Sequence, residues 1–141
     1  MQSRSEARLP HLIVEYSANI EKAMNLDAFL DRLHETAVET GMFPLGGIRV
    51  RAYRTENFRI ADCAPENGFV HVTAIVGSGR PLDRREQVSK QLFAAICDQL
   101  DALASKSPLA ISFNMREFDP VLNFKKNNLH EYLAQRVGDH E

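Results

Sequence analysis

Two hydrophobic rhythms alternate along the chain. HLIVEYS, residues 11–17, is an apolar, β-prone run closed by the turn-like Ser17-Ala18-Asn19, and it predicts a buried strand. From Leu26 the apolar positions Phe29, Leu30, Leu33 and Ala37 recur at helical spacing, while Asp27, Asp31, Arg32 and Glu35 face away. Gly41 stands where a C-terminal cap glycine belongs. Beyond Pro44 and Gly46-Gly47, IRVRAY sets Ile48, Val50 and Ala52 against Arg49, Arg51 and Tyr53, the period of a half-buried strand.

The second half repeats this order. FVHVTAIV, residues 69–76, predicts a strand broken by Gly77-Ser78-Gly79; residues 83–104 predict a helix presenting Val88, Leu92, Ile96, Leu100 and Leu103; LAISFNM, residues 109–115, alternates again. Pro44-Leu45 before the second strand is echoed by Pro108-Leu109 before the fourth. The chain therefore reads as two strand-helix-strand units of roughly 60 residues, at about 10–60 and 68–118, an internal duplication. An arm follows at 119–134, in which Asn127-Asn128 precede a helical turn or two, and then a polar tail at 135–141 expected to fray. The fold class is α+β, but this element order suits ferredoxin-like folds and other two-layer sandwiches alike, leaving the strand arrangement open.

Length and composition are those of one ordinary folded domain: 141 residues, 44% hydrophobic and 26% charged. A net charge of −2 with acids and bases interleaved offers no basic stripe, so no nucleic-acid partner is expected. The leading MQSRSEAR has no apolar stretch and no later run approaches membrane-spanning length, so no membrane partner is expected and a cytoplasmic location is. Cys63 and Cys97 lack CxxC spacing and metal-ligand neighbours, which reads as inert core thiols in a reducing compartment; no metal is expected. GxxxxGK[ST], GxSxG and HExxH are absent, removing most of the case for nucleotide, serine-hydrolase and zinc chemistry. The histidines 11, 34, 71, 130 and 140 are scattered, and surface or core duty is favoured for each.

Two features invite chemistry. VGSGRPLDRRE, residues 76–86, leads from a strand end into a helix start, where unpaired backbone amides beside Arg80 would suit a carboxylate-sized anion. A tight turn with a solvated Arg80 explains the same residues equally well. Arg49 lies on the strand face opposite Ile48 and Val50; solvent exposure is the plain reading, and a bidentate carboxylate clamp the sharper one.

PHLIVEYSANI, GMFPLGGIRVRA, FVHVTAIVGSGR and the closing LNFKKNN, in this order, resemble the 5-carboxymethyl-2-hydroxymuconate isomerases of the tautomerase superfamily from Pro10 to about Leu133. The resemblance implies a duplicated β-α-β fold with helices on one face of a four-stranded sheet, assembly as a homotrimer, and a small di- or tricarboxylate substrate with no cofactor. It matches the family's catalytic N-terminal proline to Pro10 and its carboxylate-handling arginines to Arg49 and Arg80. The Pro44 to Arg49 pattern is shared with the shorter 4-oxalocrotonate tautomerases, whose glycine-arginine turn resembles Gly79-Arg80. Gly79, Phe43 and Phe113 are the further substrate-binding candidates; Ile13, Phe43 and Phe113 would exclude water, with core packing the plainer duty of each.

The implied reaction moves the hydroxyl proton of a 2-hydroxymuconate dienol to a distant carbon, giving the 2-oxo isomer. A terminal amine titrates at about 8, against about 10.4 for lysine, and nearby arginines lower it further, which suits one group that both takes and returns a proton. Arg49 and Arg80 would jointly hold carboxylates and stabilise charge on the 2-oxygen.

Nine residues precede Pro10, and acylation by Leu9 leaves its nitrogen an amide without a basic lone pair. The leading expectation is that translation starts at Leu9 through a leucine codon read as methionine, which is then trimmed. Proteolysis after Leu9 is the second. The third is a genuine extension on a trimeric carboxylate-binding or structural module that has lost turnover. A superfamily hydratase or decarboxylase is a further alternative, without an acidic residue to recommend it.

Overall fold

The computed structural model describes residues 10–139, so the extension expected at 1–9 and the last two residues lie outside the described residues. The strands are β1 (His11–Ser17), β2 (Arg49–Thr55), β3 (Gly68–Val76) and β4 (Leu109–Glu117). The helices are α1 (Glu21–Met24), α2 (Leu26–Glu39), α3 (Leu82–Ala104) and α4 (Leu129–Asp139). The last is longer than one or two turns and continues through residues 135–139, where the sequence predicts a frayed tail. Arg136 in its last turn sits favourably against the helix dipole.

The sheet order is β2-β1-β3-β4, with β1 parallel to β2, β3 parallel to β4, and the two halves joined antiparallel through β1 and β3. A split β-α-β arrangement would insert another strand between β1 and β2. Here His11 pairs directly with Arg49, and Gly68 with Leu109, so each half is a closed β-α-β unit and the choice left open by element order is settled.

Alternation assigns the faces. Leu12, Val14 and Tyr16 of β1 and Val70, Val72, Ala74 and Val76 of β3 are buried beneath α2 and α3. From the helices come Phe29, Leu33 and Ala37, then Val88, Leu92, Ile96 and Leu100, each removing an apolar side chain from water for about 1.5–3 kcal/mol when fully buried and large. Asn25 adopts φ +52° and turns the chain from α1 into α2; Gly41, at φ +68°, ends α2 and donates its N–H to Val38 O at 3.2 Å. Among the described residues, the core helices α2 and α3 lie on the other side of the sheet from the face bearing His11, Ile13, Glu15, Arg49 and Arg51.

The seam between the halves is tight at one end. The buried Ser17 hydroxyl accepts the N–H of Phe69 at 3.0 Å, and a Cβ on Gly68 would stand 2.5 Å from Ile20 Cγ2. The cysteines depart from expectation: Cys63 is exposed, in the connection after β2, and Cys97 is half-buried on α3, so neither is a core thiol. Among the described residues no helix is long and apolar enough to cross a membrane, and no cluster of His, Cys, Asp and Glu could hold a metal ion.

Candidate active site

The antiparallel seam brings the start of β1 beside the end of β3. Pro10 is buried there, immediately before the His11 that pairs with Arg49 on one side and Ile75 on the other. Its carbonyl accepts the backbone N–H of Arg49 at 3.1 Å. Val76 and the 77–80 turn follow on the β3 side, and the Val76 carbonyl accepts the N–H of Phe118. Pro10, Arg49 and the Gly79-Arg80 turn are thus gathered at one end of the sheet from three different segments.

Arg80 is half-buried. Its Nη1 donates to Gly77 O at 3.3 Å and its Nη2 to Met42 O at 3.4 Å, while its guanidinium carbon lies 5.3 Å from the ring centroid of Phe43. Phe43 is 7% exposed and forms the platform under that guanidinium, a cation–π contact that pre-sets its direction. Arg84 fastens the same loop by donating Nη2 to Thr40 O at 2.8 Å.

The turn holds Arg80 differently from the expectation of unpaired amides. Gly79 has φ +104°, a value that favours glycine, and its N–H already donates to Glu117 Oε2 at 2.9 Å. Glu117 also faces Arg85 at 3.8 Å. An internal carboxylate therefore occupies the amide that the sequence offers to an external anion, and Arg80 is left as the turn's cationic group.

Arg49 projects from the sheet face opposite α2 and α3 and donates Nη1 to Gly47 O at 2.9 Å. It lines a cleft of about 350 Å³ with His11, Phe118 and residues 123–127 of the arm. Arg51 Nη1 lies 2.8 Å from His11 Nδ1; since arginine only donates, this contact makes Nδ1 the acceptor and places the proton of a neutral ring on Nε2. Burial first, then the charges of Arg51, Arg49 and Lys125, hold the His11 pKa below its ordinary value. The His11 ring meets Phe118 edge-on at 5.4 Å, and Lys125 Nζ stands 5.2 Å from the Phe118 centroid.

Phe113 is not brought to this end. It lies mid-strand on β4 opposite Val72, packs against the core on the helix side, and borders a groove with Glu86, Ser89, Lys90 and Phe93. Ile13 does share the face of Arg49, one row beyond His11 and beside Arg51. Sequence reasoning passed over His11, Arg51, Phe118 and Lys125. The alternation that places Arg49 on the face opposite α2 and α3 places Arg51 there too, but the arrival of the arm depends on contacts distant in the chain.

The arrangement combines a buried proline, two oriented guanidiniums and, among the described residues, further cations with few local acids, which suits a polycarboxylate. Comparison with known proteins agrees. The family model described as 5-carboxymethyl-2-hydroxymuconate isomerase matches residues 10–133. The 5-carboxymethyl-2-hydroxymuconate Delta-isomerase of Escherichia coli is 39% identical over 122 residues, spanning 86% of this chain and 97% of that protein. A crystal structure of a 5-carboxymethyl-2-hydroxymuconate isomerase from Deinococcus radiodurans R1 superposes with a TM-score of 0.86 at 31% identity, covering 93% of this chain and 98% of that one. A fused 4-OT symmetric trimer shares the fold alone, with a TM-score of 0.58 at 18% identity over 84% of this chain and 92% of that one. With the match running through nearly all of the described residues, the chain belongs to the 5-carboxymethyl-2-hydroxymuconate isomerase family.

Proposed function

We propose that this protein converts 5-carboxymethyl-2-hydroxymuconate, or a closely similar dienol, to its 2-oxo isomer, with the Pro10 nitrogen carrying the proton once Pro10 is the first residue of the chain. The observation that carries this reading is the bond from Arg49 N–H to the Pro10 carbonyl, which seats Pro10 at the sheet end shared with Arg80. The free amine removes the 2-hydroxyl proton, electrons shift along the diene, and the same nitrogen returns a proton to the far carbon of the diene. No atom is gained or lost. A terminal amine titrates nearer neutrality than lysine, at about 8 against about 10.4, which suits a group that both takes and returns a proton. Arg49 and Arg80 bind carboxylates and offset charge on the 2-oxygen; Phe43 keeps Arg80 aimed. The exposed apolar side chains Val121, Leu122 and Phe124 of the arm favour assembly, which we read as a homotrimer, and we place the protein in the cytoplasm.

A chain that retains Leu9 favours a second reading, because the Pro10 nitrogen is then an amide and the same cations bind a carboxylate without turnover. The test joins an intact mass of protein made from the native gene to a dienol ketonisation assay. Loss of residues 1–9 with activity that vanishes in Pro10→Ala supports the isomerase. Full-length protein that binds carboxylates without ketonising the dienol supports the module.

A further inference from the structure

Arg80 stands one peptide beyond a hinge. Gly79, at φ +104°, adopts a conformation that favours glycine, the residue that also leaves it most freely, and rotation there swings Arg80 and its guanidinium together. Among the described residues the guanidinium's own bonds, to Gly77 O and Met42 O, are long at 3.3 and 3.4 Å, and bonds of that length restrain direction weakly. Shorter bonds hold the main chain on both sides of the residue. Glu117 Oε2 accepts the Gly79 N–H at 2.9 Å, and Arg85 Nε donates to the Arg80 carbonyl at 3.0 Å.

The two side chains that make these bonds face each other. Arg85 Nη1 lies 3.8 Å from Glu117 Oε1, so one carboxylate-guanidinium pair spans the Gly79-Arg80 segment, from the amide that enters it to the carbonyl that leaves it. Both bonds are charge-assisted and stronger than neutral ones of the same length. Each member of the pair comes from a regular element. Glu117 ends β4, where it pairs with Val76 and where the N–H of Phe118 reaches Val76 O at 2.8 Å. Arg85 lies near the start of α3, and its own N–H closes on Pro81 O at 3.1 Å. As an ion pair alone, at 3.8 Å and with side chains 28% and 31% exposed, the two charges add little to stability. Their consequence lies in where they place Arg80.

We infer that Glu117 and Arg85 are positioning residues for the isomerisation: together they lock the glycine hinge and keep the Arg80 guanidinium aimed at the sheet end where Pro10 sits. They act through Arg80 and need no contact with substrate. A misplacement of about 1 Å in a group that stabilises developing charge costs up to about 10²-fold in rate, so a loosened hinge is felt in turnover. This rests on the isomerase reading above for the role of Arg80, and on the bonds around the turn for the positioning.

The test takes protein that begins at Pro10 and compares Glu117→Ala, Glu117→Gln and Arg85→Ala, each alone and with Arg80→Gln. Glu117→Ala should lower kcat/KM for the dienol about tenfold, and Arg85→Ala by a similar factor. Glu117→Gln, whose side-chain carbonyl still accepts the Gly79 N–H, should recover most of the loss. In the Arg80→Gln background neither alanine should cost more. A loss equally large with and without the Arg80 side chain overturns the inference, because a merely structural role acts regardless of that group; an unchanged kcat/KM in Glu117→Ala overturns it as well. Calorimetric binding of muconate, which has no 2-hydroxyl to ketonise, reads the same set of variants without turnover. Muconate binding that weakens in Glu117→Ala, in protein that begins at Pro10 yet does not ketonise the dienol, would sink the isomerase reading alone, whereas ketonisation indifferent to Glu117 would sink the positioning role alone.

Discussion

The side-chain amide of Asn127 donates to the carbonyl of Gly46 at 3.0 Å, and one residue further on the carbonyl of Gly47 accepts the guanidinium of Arg49. The arm thereby sets the turn from which Arg49 is aimed. The His130 ring of α4 lies against the same turn, with Nδ1 2.6 Å from where a Gly46 Cβ would stand.

Gly46→Ala should therefore destabilise the protein by about 1–3 kcal/mol, the cost of forcing a ring and its helix from a packed position. His130→Ala in the same chain should recover most of that loss. Urea unfolding of both single variants and the double variant checks this, and additive losses would show that the ring is not the obstacle.

Arg80→Gln in protein with a free Pro10 is expected to lower kcat/KM for the dienol by about 10²–10³, the range for removing one charge-stabilising donor. Arg80→Lys should restore little, because a point charge does not reproduce the flat guanidinium over Phe43 with its bonds to Gly77 and Met42. Ultraviolet decay of the dienol measures both.

His11 titrates below its ordinary 6.5 in the folded protein, because burial and the charges of Arg51, Arg49 and Lys125 disfavour its charged form. The unfolded chain then binds the proton first as pH falls. The stability tied to neutral His11 is full above about 6.5 and is lost as pH drops through the lowered folded value. Chemical denaturation at pH 7.5 and at successively lower pH should show this decline, and His11→Gln, which can still accept from Arg51, should flatten it.

The thiols should react in a fixed order. Burial, then the charge of Asp101, pushes the Cys97 thiol above its ordinary pKa, while Cys63 lies exposed. Limited alkylation at pH 8 followed by peptide mapping should label Cys63 first; equal labelling would show that α3 opens freely.

Where short-range pattern decides structure, the sequence was legible. Apolar, β-prone runs located β1 and β3, period-two alternation located β2 and β4, and the apolar stripe through Val88, Leu92, Ile96 and Leu100 is the buried face of α3. What depends on register was not. The bond from Gly79 to Glu117 exists because β3 and β4 pair Val76 with Glu117, an alignment no local pattern encodes. Phe113 illustrates the same limit: alternation gives it a face, but its distance along β4 from the Pro10 end follows only from its pairing with Val72. Pro10, Arg49 and Arg80 were picked out by motif resemblance, and their gathering follows from the antiparallel seam.

That seam has a further consequence. At the roughly 60-residue spacing read from the sequence, His71 stands on β3 where His11 stands on β1, and its β4 partner Ser112 where Arg49 stands on β2. By the same spacing Val70 answers to Pro10 and Ile20 to Arg80. Ile20 is buried against Gly68, so the far end of the sheet is filled with packing where the near end holds arginine. The two ends of one seam thus divide the labour: the near end presents arginine, and the far end, closed by Ile20, Gly68 and Ser17, is the clasp that keeps the halves together.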